Sequence, residues 1–457
     1  MKSTILLLLV FLPCFALSQS LQGKFSELSH QPVKLVGFNH FETYVIDSTT
    51  TDARGKFILN FSSKDHGMAY LKSTAGQSLT LALQNSDVII EGKGFKDIED
   101  LIVEKGQENR WFYTYAKSHP KREQVLSAWR YLKKKYKEEE QLQSHITAKK
   151  AIDLEIALLK AEDGQFIAAL PDDSYMKWYL PLRSLLSSVG NIAQNVPERI
   201  SETLQQLRAI DYSEEKLDKS GLFNDAIFNH IWFIENSSGA LEQVFKDLNL
   251  SIDIIAGQLK NDDERFNLVM EKMFEILEQR SLFTSSEYLA EKLLSSDSCG
   301  CLNPQLQKKL ERYGKMAKGK IAPDIRFTEY TYFPDGVYAK SLEGLDAEFK
   351  LVVFAAGWCP HCVEAMPELS GYYPELKKKN IEVVLVSLDD NPEDFARFAA
   401  PLPFISTTDY QKWSGQAVAD YQVYSTPSYF MLDKDLKIIQ KLKDVEHLKA
   451  WVEWNFN

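Results

Sequence analysis

Lys350-Leu351-Val352-Val353-Phe354-Ala355-Ala356-Gly357-Trp358-Cys359-Pro360-His361-Cys362 is the stretch whose reading decides the fold. Seven residues form an almost unbroken apolar run, the pattern of a strand buried on both faces. The run ends in a Cys-x-x-Cys that opens a helix. This places Cys359 at a helix N-terminus, where unpaired backbone N–H groups and the helix dipole favour an anionic sulfur. Cys362 follows one turn later, close enough to close a disulfide. Thiol–disulfide exchange needs that arrangement.

Around this stretch, strand and helix patterns alternate. Ile381–Leu388 reads as a β-branched strand, 392–400 as a helix, 428–432 and 437–441 as a hairpin, and 444–456 as a closing amphipathic helix. Such alternation predicts a mixed sheet covered by helices on both faces. Upstream, residues 96–318 carry helical periodicity. Phe266, Val269, Met270, Met273, Phe274 and Leu277 line one face of a helix, and Ile152, Ile156 and Leu159 do the same earlier. Lys133–Lys135 followed by Glu138–Glu140 reads as a solvated helix face with i,i+4 pairing. Residues 19–95 contain short strand-like runs separated by Arg54-Gly55, His66-Gly67 and Ala75-Gly76, which predicts an antiparallel sandwich. The fold class is therefore multidomain: an N-terminal all-β sandwich (19–95), an all-α middle region (96–318) and a C-terminal α/β domain (319–457).

The first 18 residues read as a signal peptide. Lys2 supplies the positive end, 5–12 the apolar core, and Ala16-Leu17-Ser18 the small-residue cleavage site, which leaves Gln19 first in the mature chain. Lipid anchoring at Cys14 is disfavoured by Pro13 directly before it. Export to the periplasm or cell envelope is the expectation. Removing the signal leaves four cysteines in two close pairs, which suits an oxidising compartment. The formal charge of −11 argues against nucleic acid as a partner. Histidines 30, 40, 66, 119, 145, 230 and 447 show no metal-ligand spacing, and no phosphate loop or Ser-His-Asp set is present. No bound cofactor and no metal are expected.

Residues 319–457 resemble the thioredoxin superfamily, in its exported TlpA/ResA-like branch. The resemblance rests on Ala322-Pro323-Asp324, Trp358-Cys359-Pro360-His361-Cys362, Pro367, Val386-Ser387-Leu388-Asp389 and Thr426-Pro427. It implies a thioredoxin-like fold, with Cys359 as the exposed attacking thiol and Cys362 as the buried resolving thiol. Pro360 fits the first helical turn. A cis Pro427 would set the Thr426 backbone beside Cys359 to pair with an extended client, and Trp358 would cover the pair. The implied partners are exported protein thiols or disulfides and a membrane electron donor or acceptor.

The chain also departs from the family. The positions where relatives bury an acid near the resolving thiol hold Val353 and Ala365, and Glu364 sits on another helix face. The Pro360-His361 dipeptide resembles that of DsbA-type oxidases, where an imidazole favours the thiolate and makes the disulfide more oxidising. Reductase work is the reading of the domain, and oxidase or isomerase work the reading of the dipeptide. Cys299-Gly300-Cys301 is a candidate second redox pair, with a local disulfide or two free thiols as the plainer reading. A structural disulfide, a Cu(I) thiolate site and a non-catalytic partner-binding protein remain alternatives.

Overall fold

The computed structural model describes residues 19–74, 76–237, 239–295, 302–334 and 338–456. By contacts the chain groups into two units, 1–199 with 214–229, and 200–213 with 230–457. The first unit begins with eight strands: β1 (Gln19–Phe25), β2 (Pro32–Asn39), β3 (Glu42–Thr50), β4 (Lys56–Phe61), β5 (Gly67–Ser73), β6 (Ser78–Leu83), β7 (Val88–Gly92) and β8 (Ile102–Lys105). They form two four-stranded sheets, β4-β1-β7-β8 and β3-β2-β5-β6. Along β4 alternate residues are buried, so Phe57, Leu59 and Phe61 face the core, as a period of two requires.

Two details differ from the sequence reading. The pairing is not wholly antiparallel, because β1 and β7 run parallel. The region from 96 onward is not all helical either, since β8 pairs with β7 at its start. Four residues with an exposed Ile102 carry too little pattern to announce a strand; the neighbouring edge of β7 makes it one. Helices α1 (Gln107–Glu138), α2 (Glu140–Gln143), α3 (Ile146–Ala168) and α4 (Tyr175–Asn195) follow. Ile152 and Ile156 of α3 are buried with Leu126 of α1. The charged run is solvated, with Lys135 paired to Glu139 at 3.1 Å.

The second unit contains α5 (Ile200–Arg208), the second half of α6 (Phe223–Ser237), α7 (Leu241–Leu259), α8 (Asp263–Gln279), α9 (Phe283–Leu294) and α10 (Pro304–Gly314). The predicted stripe on α8 is buried along its whole length. Asp262 caps that helix by accepting from the Arg265 N–H, and Asn303 caps α10 with Pro304 at the first turn.

The same unit holds β9 (Phe349–Ala355), α11 (Pro360–Lys378), β10 (Ile381–Ser387), α12 (Pro392–Ala399), β11 (Ile405–Thr408), α13 (Gln416–Asp420), β12 (Ser428–Asp433), β13 (Ile438–Leu442) and α14 (Val445–Phe456). The sheet order is β11-β10-β9-β12-β13. Strands β9, β10 and β11 are parallel, whereas β12 and β13 run antiparallel to their neighbours. Every residue of β10 is buried, which accounts for the apolar run Val383–Val386. Strand β11, whose Ile405-Ser406-Thr407-Thr408 lacks such a run, is found only through its pairing with β10. Among the described residues no helix is long and apolar enough to cross a membrane.

Candidate active site

Strand β9, central in its sheet, delivers Gly357, Trp358 and Cys359 to the start of α11. Cys359 is extended (φ −92°, ψ 113°) and caps the helix, with Pro360 in the first turn where no N–H is needed. The Cys362 N–H points at Cys359 Sγ across 3.3 Å. A sulfur in this position receives one of the helix's unpaired donors, and an anionic sulfur benefits most.

Facing it, the Thr426–Pro427 peptide bond is cis, and Cys359 Sγ donates to the Thr426 carbonyl at 3.4 Å. Both cysteines are free thiols. Cys362 is wholly buried, and that burial, followed by its hydrogen bond to Cys359, pushes its thiol up to about 12. It stays protonated at neutral pH until chemistry at Cys359 removes its neighbour's thiol.

The resemblance implied an exposed Cys359, and here the structure corrects it: only 6% of the residue is accessible. Its sulfur is tucked against the Thr426 carbonyl and the first turn of α11. Several apolar side chains near the pair or the cis proline are exposed. Trp358 and Val363 flank the pair in sequence, Tyr424 stands two residues before Thr426, and Trp413 packs on Trp358 with ring centroids 6.1 Å apart. The Trp358 indole donates to the Leu388 carbonyl at 3.2 Å, which pins the ring toward the end of β10. His361 projects into solvent with its side chain 84% exposed and Nδ1 4.0 Å from Glu364. Glu364 is itself exposed.

Val353 is buried and Ala365 is half-buried, so neither family position supplies an acid. A buried carboxylate that the sequence reading left without a role lies elsewhere. Asp389, fully buried, accepts from the Gly357 N–H at 3.1 Å and from the Ser387 hydroxyl at 2.7 Å. It stood in the quoted Val386–Asp389 motif, but nothing in that motif tells which loop the carboxylate reaches.

Cys14, Cys299 and Cys301 lie outside the described residues. Among the described residues, His119, Glu123 and Asp163 form the only group with three metal-capable side chains. Asp163 is already engaged there, by the Arg122 guanidinium at 2.8 Å and by His119 Nδ1 at 2.5 Å, which makes the group an ion-pair network between α1 and α3.

The C-terminal region is similar to known proteins. Residues 317–449 match the family described as Redoxin. The thiol-disulfide oxidoreductase ResA of Bacillus thuringiensis subsp. konkukian is 29% identical over 131 residues, 28% of this chain and 71% of the relative. The tryparedoxin of Trypanosoma brucei brucei is 30% identical over 97 residues, 21% of this chain and 67% of the relative. A thioredoxin-like protein from Bacteroides caccae superposes with a TM-score of 0.38 at 14% identity, covering 56% of this chain and 93% of that one. The chain is thus a TlpA/ResA-like member of the thioredoxin superfamily.

Proposed function

We propose that the protein is an exported thiol-disulfide oxidoreductase that reduces protein disulfides through Cys359 and Cys362. The observation that carries this reading is the Cys359 sulfur, held between the Cys362 N–H and the carbonyl before the cis proline, with a protonated Cys362 behind it. In the first step the Cys359 thiolate attacks one sulfur of a client disulfide. That S–S bond breaks, a mixed disulfide forms, and the departing client thiolate takes up a proton. Cys362 then gives up its proton and attacks Cys359 Sγ, which releases the second client thiolate. Two electrons pass from the dithiol to the client, and a membrane donor restores the dithiol. Trp358, Pro360, His361, Thr426 and Pro427 support the pair by shaping access and backbone pairing.

The Pro360-His361 dipeptide motivates a second reading as an oxidase or isomerase. One measurement separates them: the reduction potential of the mature protein equilibrated against glutathione. A value near ~−270 mV supports the reductase, and one near ~−120 mV the oxidase. Absence of any redox equilibrium removes both and leaves a binding protein. In parallel, Cys362→Ser should trap mixed disulfides with client proteins on Cys359.

A further inference from the structure

The loop that presents Cys359 is held from below by a single buried carboxylate. Both oxygens of Asp389 lie within reach of the Gly357 N–H, at 3.1 and 3.2 Å. One of them also accepts from the Ser387 hydroxyl, and the Asp389 N–H donates back to Ser387 Oγ at 3.1 Å, closing a small ring. Ser387 and Asp389 are themselves held by the Thr408 hydroxyl, which donates to the Ser387 carbonyl at 3.1 Å. The loop makes a second attachment to the same segment through the Trp358 indole and the Leu388 carbonyl. A third comes from the chain itself, where the Leu388 N–H donates to the Ala355 carbonyl at 2.9 Å. Residues 355–358 are therefore fastened to 387–389 on consecutive backbone positions, directly before the nucleophile.

None of the hydrogen-bond partners of Asp389 is a cation. A buried carboxylate without one is costly and persists only where its acceptor capacity is filled. Here its donors are the redox-loop Gly357 N–H and the Ser387 hydroxyl. Packing adds to the hold: a Cβ at Gly357 would lie 3.1 Å from Phe398 Cβ and 3.4 Å from Asp389 Oδ1, so a larger residue there would ask Phe398 to give by a few tenths of an ångström.

We propose that Asp389 is a positioning residue of the redox site. It fixes the Gly357–Cys359 segment so that Cys359 Sγ receives the Cys362 N–H, and it thereby stabilises the reduced, anionic sulfur. Asparagine in its place has one acceptor oxygen for two donors and turns an NH2 toward one of them. The loop loosens and the sulfur loses part of its donor. The inference rests on the thiol-disulfide reading only for its consequence in turnover; the loop geometry can be measured without any client.

The test compares Asp389→Asn, Asp389→Ala and Ser387→Ala in the full chain. It reads Cys359 alkylation by iodoacetamide near pH 7 in a Cys362→Ser background, and the glutathione-equilibrated potential with both cysteines present. In Asp389→Asn, alkylation slows roughly threefold to tenfold, as expected for loss of one charge-assisted hydrogen bond relayed through the loop. The potential moves to more negative values because the reduced form loses stabilisation. Ser387→Ala shows a smaller change in the same direction. Unchanged alkylation and potential in a folded Asp389→Asn protein overturn the proposal. Faster alkylation overturns it as well, because the carboxylate would then act only by repelling the thiolate. If Asp389→Ala does not fold, the asparagine and serine variants still decide. If the shifts appear while the wild type reduces no client disulfide, the functional reading fails and the positioning role stands.

Discussion

Replacing Lys441 by methionine should destabilise the second unit in a strongly pH-dependent way. Lys441 lies on β13, the edge of its sheet, and its ammonium is buried among side chains of α8, α9 and α10. Nζ sits 3.6 Å from Glu287 Oε1 and 3.8 Å from the centre of the Tyr313 ring. Glu278 is buried beside it, and its Oε1 has no hydrogen-bond partner. Two carboxyls thus share one cation. Burial raises both carboxyls and lowers the lysine, while their mutual attraction opposes each shift. At 3.6 Å and an effective dielectric near 20, the Lys441–Glu287 attraction alone is roughly 4–5 kcal/mol before desolvation. Methionine recovers the packing of the stem but removes the cation that Glu278 and Glu287 share, leaving only Lys318 near Glu287, and breaking a buried pair in this way costs about 3–5 kcal/mol.

The pH dependence follows from linkage. A carboxyl raised in the folded state holds a proton that the unfolded chain releases above about 4.3, so folding stability falls as pH rises past that value. Without Lys441 the fall steepens, because the largest influence favouring the charged forms of Glu278 and Glu287 is lost. Urea denaturation at pH 5 and pH 8 is the assay. A deficit of about 3 kcal/mol or more is expected at pH 8, shrinking toward pH 5, with Glu278→Gln restoring part of it in the double variant. A deficit equal at the two pH values, or below about 1 kcal/mol at pH 8, would refute the reasoning.

Three further outcomes can be checked with the same protein. Cys362, held near 12 in the dithiol, should remain unalkylated at pH 8 in Cys359→Ser, and mass spectrometry after native labelling reads this directly. For the same reason the reduced protein should lose stability as pH climbs from about 9 toward 12, while the oxidised protein does not, a contrast visible in paired denaturation curves. Gly357→Ala should destabilise by about 1–3 kcal/mol and slow client reduction, since its Cβ meets Phe398 and Asp389; an unaffected rate would show that the loop tolerates displacement.

By itself the sequence made legible the local frame of the thioredoxin-like domain and the cysteine pair at its helix start. An apolar run ending in Cys-Pro-His-Cys can be read because strand burial, proline in a first helical turn and a capping sulfur are all decided within about a dozen neighbouring residues. The stripe of α8 and the solvated charges of α1 were legible for the same reason, since one helix period reveals which face is buried. Long-range partners were not legible. Strands β8 and β11 exist because an edge was there to pair with them, and the parallel run of β1 beside β7 joins segments more than sixty residues apart. The burial of Cys359 depends on a carbonyl 67 residues away, and the role of Asp389 on a loop 32 residues before it. Lys441 reads as one more polar residue of an edge strand until the helices before the redox domain close over it. Residue type and spacing announce what a group can do. Which carboxylate meets which loop, and whether a thiol is covered, follows only when distant segments exclude water together, because hydrogen bonds and charges gain their weight from that exclusion.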